Sequence, residues 1–434
     1  MSLAIHWFRR DLRFEDHRAL QAALAGDHPV LPLFIFDTGL LAALKNPHDA
    51  RVAFIHRTLA SLKETARTHG SDLLVRVGDP VEVWAALLGE FPVAAAYAAE
   101  DYEPAARRRD GAVARLLAEK GIPFNLVKDQ VLFAKDEVVK GDGKPYTIYT
   151  PYSRSHLARL TESDLAEAPI GRSLRRLHKT GNKPLPFPAL ADLGFKDGTI
   201  AIPPIRLEGP RLAAYGERRD RMDVDGTTRL GVHLRFGTVS IRRAMRAAMP
   251  KSDVFAKELV WRDFFSQILY HFPRVEAHSF HEVGDRVAWR RDPGGFRAWC
   301  EGRTGYPLVD AGMRELAETG HMHNRVRMVA ASFLTKHLLI HWKEGQAWFA
   351  RHLLDFDLAS NNGNWQWAAG TGCDAAPYFR IFNPAAQAKR FDPEGIYVRR
   401  WVAELGTSAY PQPIVEHEAA RNRVLAAWGK ARET

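Results

Sequence analysis

Residues 355–384 read DFDLASNNGNWQWAAGTGCDAAPYFRIFNP. Two carboxylates (Asp355, Asp357), three asparagines (Asn361, Asn362, Asn364) and two tryptophans (Trp365, Trp367) crowd into positions 355–367. In a helix, Asp357, Asn361 and Trp365 recur at i, i+4 and i+8 and form one stripe. Gly363 and Asn364 are weak helix formers, so the stripe is expected to break in its second half. An amide both donates and accepts hydrogen bonds, so it can follow a heterocycle that gains or loses a proton, while neighbouring carboxylates can bind ring or sugar-alcohol donors. A polar helix face beside buried indoles is the other reading, and the pattern alone leaves both open.

Around this stretch the second half of the chain is dominated by helical periodicity, as in DVFAKELVWRDFFSQILYHF (253–272) and GMRELAETGHMHNRVRMVAASFLTKHLLIHW (312–342). Glu258 and Trp261 fall at i, i+3 on the first of these, and Asn324 and Met328 at i, i+4 on the second. An aromatic ring and a thioether beside an amide suit an extruded base, although each is equally an ordinary core side chain. Upstream, Gly226-Thr227-Thr228-Arg229-Leu230-Gly231 places two hydroxyls between glycines at the start of a leucine-containing segment. A helix amino terminus of that kind suits a phosphate, and a plain Thr-capped helix is the alternative.

The first 130 residues read differently. LAIHWF (3–8), VLPLFIF (30–36), LLVRV (73–77) and VAAAYA (93–98) alternate with helical patterns, which predicts a parallel sheet with crossover helices, a Rossmann-like α/β domain. Ligands of such sheets sit beyond the strands' carboxyl ends, here followed by RRDLR, DTG and GDP; no GxGxxG follows the first strand. Seven prolines between 169 and 210 mark an extended connection. The expected organisation is an α/β domain over 1–130, a long interdomain linker over 131–205 and an all-α domain over 206–434.

Lysine and arginine total 61 against 51 acidic residues, a net charge of +10, which keeps a polyanionic partner in play. The two cysteines, Cys300 and Cys373, have no paired spacing, so neither a disulfide framework nor a metal site is expected, and a reducing cytoplasm fits. No window approaches the roughly 20 apolar residues of a membrane span, so no membrane association is expected. Arg107-Arg108-Arg109 and Arg399-Arg400 read as solvated faces.

Four stretches, HWFRRDLRFEDHRAL (6–20), TGYPLVDAGMREL (304–316), MHNRVRMVAASFLTKHLLIHW (322–342) and ASNNGNWQWAAGTGCDAAPYFRIFNP (359–384), together resemble the photolyase/cryptochrome family over nearly the whole chain. The resemblance is strongest to microbial class I or class III cyclobutane pyrimidine dimer photolyases. It implies FAD held in the helical domain, an α/β domain with room for an antenna chromophore (deazaflavin, flavin or folate) or for none, and splitting of dimers in UV-damaged DNA by light-driven electron transfer. It also implies a monomer.

Matching the family's flavin site are Tyr215, Thr227, Thr228, Arg229, Leu230, Gly231, Glu258, Arg262, Arg327, Asp355, Asp357 and Asn361, with Asn361 toward the flavin N5 and Arg327 paired with Asp355. Glu258, Trp261, Asn324, Met328 and Trp367 match the lesion pocket; Trp365, Trp342 and Trp289 match, in that order, the electron-supply chain; Arg219, Arg325, Arg380 and Gln387 match positions near the DNA backbone. A cryptochrome-like blue-light photosensor is the alternative the family allows. Three positions depart from the family pattern: His321 replaces a tryptophan, only GTSA joins Leu405 to Tyr410, and Ala106 replaces the glutamate of folate-binding relatives.

Overall fold

The computed structural model describes residues 2–181 and 184–433. The chain forms two compact units, the first built from Met1–Glu137, Leu157–Ile205 and Arg229–Pro250, the second from Val138–His156, Arg206–Thr228 and Lys251–Thr434.

In the first unit, β1 (Leu3–Phe8), β2 (Val30–Asp37), β3 (Leu74–Gly78), β4 (Val93–Ala99) and β5 (Phe124–Val127) form a parallel sheet in the order β3-β2-β1-β4-β5. β1 is central, with Ile5 facing Leu31 on one neighbour and Ala96 on the other, and all six of its residues are buried. Strands covered by helices on both faces carry continuous apolar runs, which is why four of the five are legible in the sequence. β5, FNLV, is a short half-buried edge strand without such a run.

The residues beyond the strand ends are held in structural contacts. Asp37 accepts a hydrogen bond from the Gly39 amide at 2.8 Å and caps Thr38–Ala43; Asp79 does the same for Pro80–Glu90 through the Val81 amide at 2.8 Å. Arg9 pairs with Asp110 inside the unit. Arg109, expected on a solvated face, is mostly buried, with its guanidinium 4.9 Å from the Trp7 ring, whereas Arg107 and Arg108 are exposed.

The units differ from the expected domains in two places. The connection 131–205 divides, Val138–His156 joining the second unit and Leu157–Ile205 the first. In addition, Arg229–Pro250 belongs to the first unit. Arg242, 1 % exposed, binds Asp16 and Asp129 at 2.9 Å each, and a buried guanidinium with two carboxylate partners ties its helix to them. Gly237, at φ 65°, stands so close to the Arg10 carbonyl that a Cβ would lie 2.2 Å from it.

The second unit is helical, and its main core gathers Trp299, Phe333, Trp342, Phe349 and Trp365. Contrary to the break expected at Gly363, Leu358–Ala369 is one uninterrupted helix. A Cβ at Gly363 would sit 2.0 Å from the Phe265 ring, so the glycine lets this helix approach Asp253–His271 closely. That packing offsets a helix penalty of about 1 kcal/mol.

Candidate functional site

Asp357 sits at the N-cap of Leu358–Ala369 and accepts from the Ser360 amide at 3.0 Å. Asn361, one turn on, is 8 % exposed and donates its Nδ2 to the Gln346 carbonyl at 3.1 Å, which leaves Oδ1 as the acceptor. Asn362, on the next face, donates to the Val275 carbonyl at 2.8 Å and to the Gln346 side chain at 3.1 Å, and so anchors the helix. Opposite, Arg327 on the Asn324–Ser332 helix grips Asp355 through two bonds of 3.0 and 3.1 Å. The Arg327 Nε donates to the Met322 carbonyl at 2.8 Å, which fixes the guanidinium plane.

Arg327, Asp355, Asp357 and Asn361 line one cleft. It brings together Asn324, Arg327, Met328, Asp355, Asp357, Asn361, Trp365 and Trp367, with Ala331, Phe349 and Leu353 as apolar wall. Its mixed polar and apolar lining suits a planar heterocycle. An amide oxygen fixed as acceptor, a guanidinium and apolar surface are the donor set and walls a flavin ring needs, so the residues present fit FAD.

Trp367 also lines a second, small depression with Trp261, Phe265 and Cys373. Burial pushes the Cys373 thiol up to about 12, so it is an inert wall. Trp261 is stacked on Tyr149, centroids 3.5 Å apart and planes within 5°, and the Tyr149 hydroxyl donates to the Lys257 carbonyl at 2.6 Å. Nothing in the sequence pattern flags Tyr149, because 112 positions separate the two rings.

Glu258, on the same helix as Trp261, pairs with Arg219. Burial pushes the Glu258 carboxyl up, and Arg219 pulls the other way. The Arg219 guanidinium also lies 5.9 Å from the Tyr215 ring, which packs edge-on to Phe255. Arg219, expected near the DNA backbone, is thus assembled with Glu258 and Tyr215. Arg262 is half-buried one position beyond Trp261.

The other expected backbone contacts are scattered. Arg325 bonds Asp220 at 2.8 Å over the Phe391 ring; Arg380 is exposed beside Phe382; Gln387 lies half-buried on Pro384–Phe391. The stretch Thr227–Gly231 is cut between the units after Thr228. Thr228 is buried, Arg229 is exposed at φ 50°, and the six-residue helix Gly231–Phe236 has Leu230 at its cap position without a side-chain bond. The Thr-capped helix is therefore not what forms: the left-handed turn at Arg229 delays the helix start past both threonines.

Trp365 meets Trp299 edge-on at 6.1 Å and Phe349 at 4.9 Å, and Gly345 clears its ring, since a Cβ there would lie 2.1 Å away. Trp342 is fully buried, and His341 stands between it and Trp289, with centroids 5.4 and 5.2 Å away. Burial lowers His341 to about 4, so the imidazole is neutral at pH 7. His321 joins a polar cluster, its Nδ1 3.2 Å from Glu315, which also accepts from the Tyr397 hydroxyl at 2.6 Å. The short GTSA connection closes in turns beside Glu404, which Arg314 binds at 2.7 and 3.0 Å.

Two family models match: DNA photolyase over residues 4–170, and the FAD binding domain of DNA photolyase over 255–407. A deoxyribodipyrimidine photo-lyase from Halobacterium salinarum is 36 % identical across 99 % of both chains. The chain belongs to the photolyase/cryptochrome family. Among solved structures, a bacterial class III photolyase from Agrobacterium tumefaciens superimposes with TM-score 0.87 at 33 % identity, covering 100 % of this chain and 98 % of that one. An archaeal photolyase from Sulfolobus tokodaii, solved with two FAD molecules and implicating a novel light-harvesting cofactor, gives TM-score 0.82 at 32 % identity over 98 % of this chain and 99 % of that one. The α/β sheet domain plus helical FAD-binding domain expected from the sequence is the photolyase architecture, and this photolyase chain binds FAD.

Proposed function

We propose that this chain is a deoxyribodipyrimidine photo-lyase that splits cyclobutane pyrimidine dimers in UV-damaged DNA, and that the roles expected from the family apply to the residues assembled in the second unit. The observation that carries the reading is the shared wall: Asn361, with its acceptor fixed, and Trp367, which also lines the neighbouring depression, lie on one helix. Reduced FAD, held by Arg327, Asp355, Asp357 and Asn361, would supply light-driven, reversible one-electron reduction of the dimer.

The chain's own groups do the rest. Arg327 and Asp355, locked in a bidentate pair, brace the cleft against a ring; Asn361 Oδ1 accepts from a ring N–H. Asp357, Tyr215, Thr227, Thr228 and Arg262 complete the cofactor contacts in the second unit. Trp261 and Trp367 wall the lesion with Met328 and Asn324, the dimer being cheaper to extrude than a normal pair because it is already poorly stacked. Glu258, its carboxyl pushed up by burial against the pull of Arg219, stabilises the dimer radical anion through hydrogen bonding or proton sharing. Arg325, Arg380 and Gln387 contact the DNA backbone, and Phe379, 62 % exposed beside Arg380, suits insertion into the gap the lesion leaves.

Supply of electrons to oxidised flavin through Trp365, Trp342 and Trp289 belongs to the same reading, as do action as a monomer in the cytoplasm and an antenna chromophore in the first unit. Among the described residues, no helix is long and apolar enough to cross a membrane. The test is an absorption spectrum of the purified protein, before and after illumination, with and without UV-irradiated DNA. Bound flavin and repair only under near-ultraviolet or blue light are expected. Colourless protein would sink the proposal. Flavin photoreduction without preferential binding or repair of dimers would replace it with a photosensor.

A further inference from the structure

Trp261 is expected to give the lesion an aromatic wall, yet both faces of its ring are covered. One carries Phe265, at 5.3 Å with planes 29° apart, and Phe265 is itself 5 % exposed. The other carries Tyr149, at 3.5 Å with planes within 5°. All three rings belong to the second unit. We propose that Tyr149 is a gate that holds the place of a flipped pyrimidine: it covers the stacking face of Trp261 in the DNA-free protein and swings out when a base takes its position. The proposal rests on reading Trp261 as a wall of the lesion pocket.

Of the two covering rings, only Tyr149 has room to leave. Phe265 lies four positions beyond Trp261 on the same helix, and a Cβ at Gly363 would already stand 2.0 Å from its ring. Tyr149 is half-buried at the first position of the helix Tyr149–Arg159, between Ile148, 53 % exposed, and the exposed Thr150, so its ring can rotate into solvent. Its amide donates to the Asp374 carboxylate at 2.9 Å, which keeps the backbone in place while the side chain turns. Burial pushes the Tyr149 hydroxyl up to about 12, so it stays protonated and donates to the Lys257 carbonyl at 2.6 Å. Within an α-helix that carbonyl already accepts from the Trp261 amide, so the departing hydroxyl strands no acceptor and finds water.

While no DNA is bound, Tyr149 keeps the Trp261 face out of water, and its ring also meets Phe264 edge-on at 5.7 Å. Its arrangement on Trp261 is the weaker kind. At 3.5 Å and 5° the two rings lie almost directly over one another, so their negative faces meet, where offset or edge-on pairs are favoured. A thymine in a dimer presents a flat, electron-poor imide, which an electron-rich indole accepts better. The exchange lowers the measured affinity for a lesion, because only molecules with Tyr149 already displaced offer the open face. Undamaged DNA, held by its backbone with its bases still stacked, does not require the gate to open.

Equilibrium binding in the dark tests this, with the full-length, FAD-loaded protein and two short duplexes, one carrying a single thymine dimer and the other undamaged. Tyr149→Ala should tighten binding of the dimer duplex by about threefold to tenfold, the worth of one aromatic stack, and leave the undamaged duplex unchanged. Tyr149→Phe, which removes only the bond to Lys257, should tighten it by about twofold. Losing a merely structural ring weakens binding, so the sign of the effect decides. Should Tyr149→Ala fail to fold, Tyr149→Phe alone decides. Dimer binding that is unchanged or weaker, or that tightens no more than binding of the undamaged duplex, overturns the gate, while weaker dimer binding by Trp261→Ala would leave the lesion wall standing. If Trp261→Ala leaves dimer binding unchanged, the underlying reading fails, and the gate with it.

Discussion

Buried carboxylates in the first unit and buried amides in the second spend their hydrogen-bonding capacity differently. Burial pushes Asp129 up, but Arg13, His17 and Arg242 outweigh it and hold it far below the usual carboxylate range; Asp16 is likewise lowered against burial by Arg242 and Ser240. These groups neutralise one another. Asn361 spends only its NH₂ group, on Gln346, and keeps an oxygen for the cleft. The contrast shows that a polar residue's type says little about function until its partners are counted. The residues after the parallel strands, where the topology alone would seek a ligand, are occupied by caps and ion pairs.

The largest expected effect tests the neutralised side. Arg242→Ala leaves Asp16 and Asp129 short of their common partner and should cost about 3–5 kcal/mol in denaturant unfolding. A loss under 1 kcal/mol, roughly that of a surface pair, would break the contrast.

Next is Lys336, 1 % exposed, whose ammonium burial lowers to about 7. Its folded value lies below its unfolded one, so the penalty is complete below pH 7 and is relieved as pH rises toward the unfolded value. The stability of Lys336→Met relative to wild type should therefore fall with rising pH, by up to about 1.4 kcal/mol per pH unit above pH 7. A flat difference would show that the lysine carries no such penalty.

Gly363→Ala should cost about 1–3 kcal/mol by driving a Cβ into Phe265, with partial rescue by Phe265→Leu. An undiminished Tm would mean the two helices can part freely. The smallest effect sharpens the cleft side: Glu258→Gln should lower repair per absorbed photon by about tenfold, the worth of one charge-assisted hydrogen bond of about 1.5 kcal/mol, with FAD still bound. Loss of FAD instead would make Glu258 a structural partner of Arg219.

Much of the fold was readable along the chain. Four strands and the long helices announce themselves because burial on both faces, or on one helical stripe, writes a periodic pattern. β5 did not, being a short edge strand. The domain boundaries did not either, since residues 229–250 are tied to the first unit by contacts such as Arg242 to Asp16 and Asp129 and Arg235 to Glu103, whose partners lie more than a hundred positions away. In the site, the Asp357, Asn361 and Trp365 stripe was visible as spacing, and the Arg327–Asp355 pair followed from family resemblance. Gln346, Tyr149 and His341 carry no local signal.

The sequence by itself determined the α/β-then-α order and the family, because those depend on patterns within one strand or helix and on long contiguous motifs. Tertiary structure decided which of those residues have capacity left. Gly363 looks like a helix breaker until Phe265 is seen against it, and Arg219 looks like a lone charge until Glu258 is found beside it. The reason is physical: hydrogen-bond satisfaction, desolvation and ring contact depend on distance in space, and the partners concerned stand tens of positions apart in the chain.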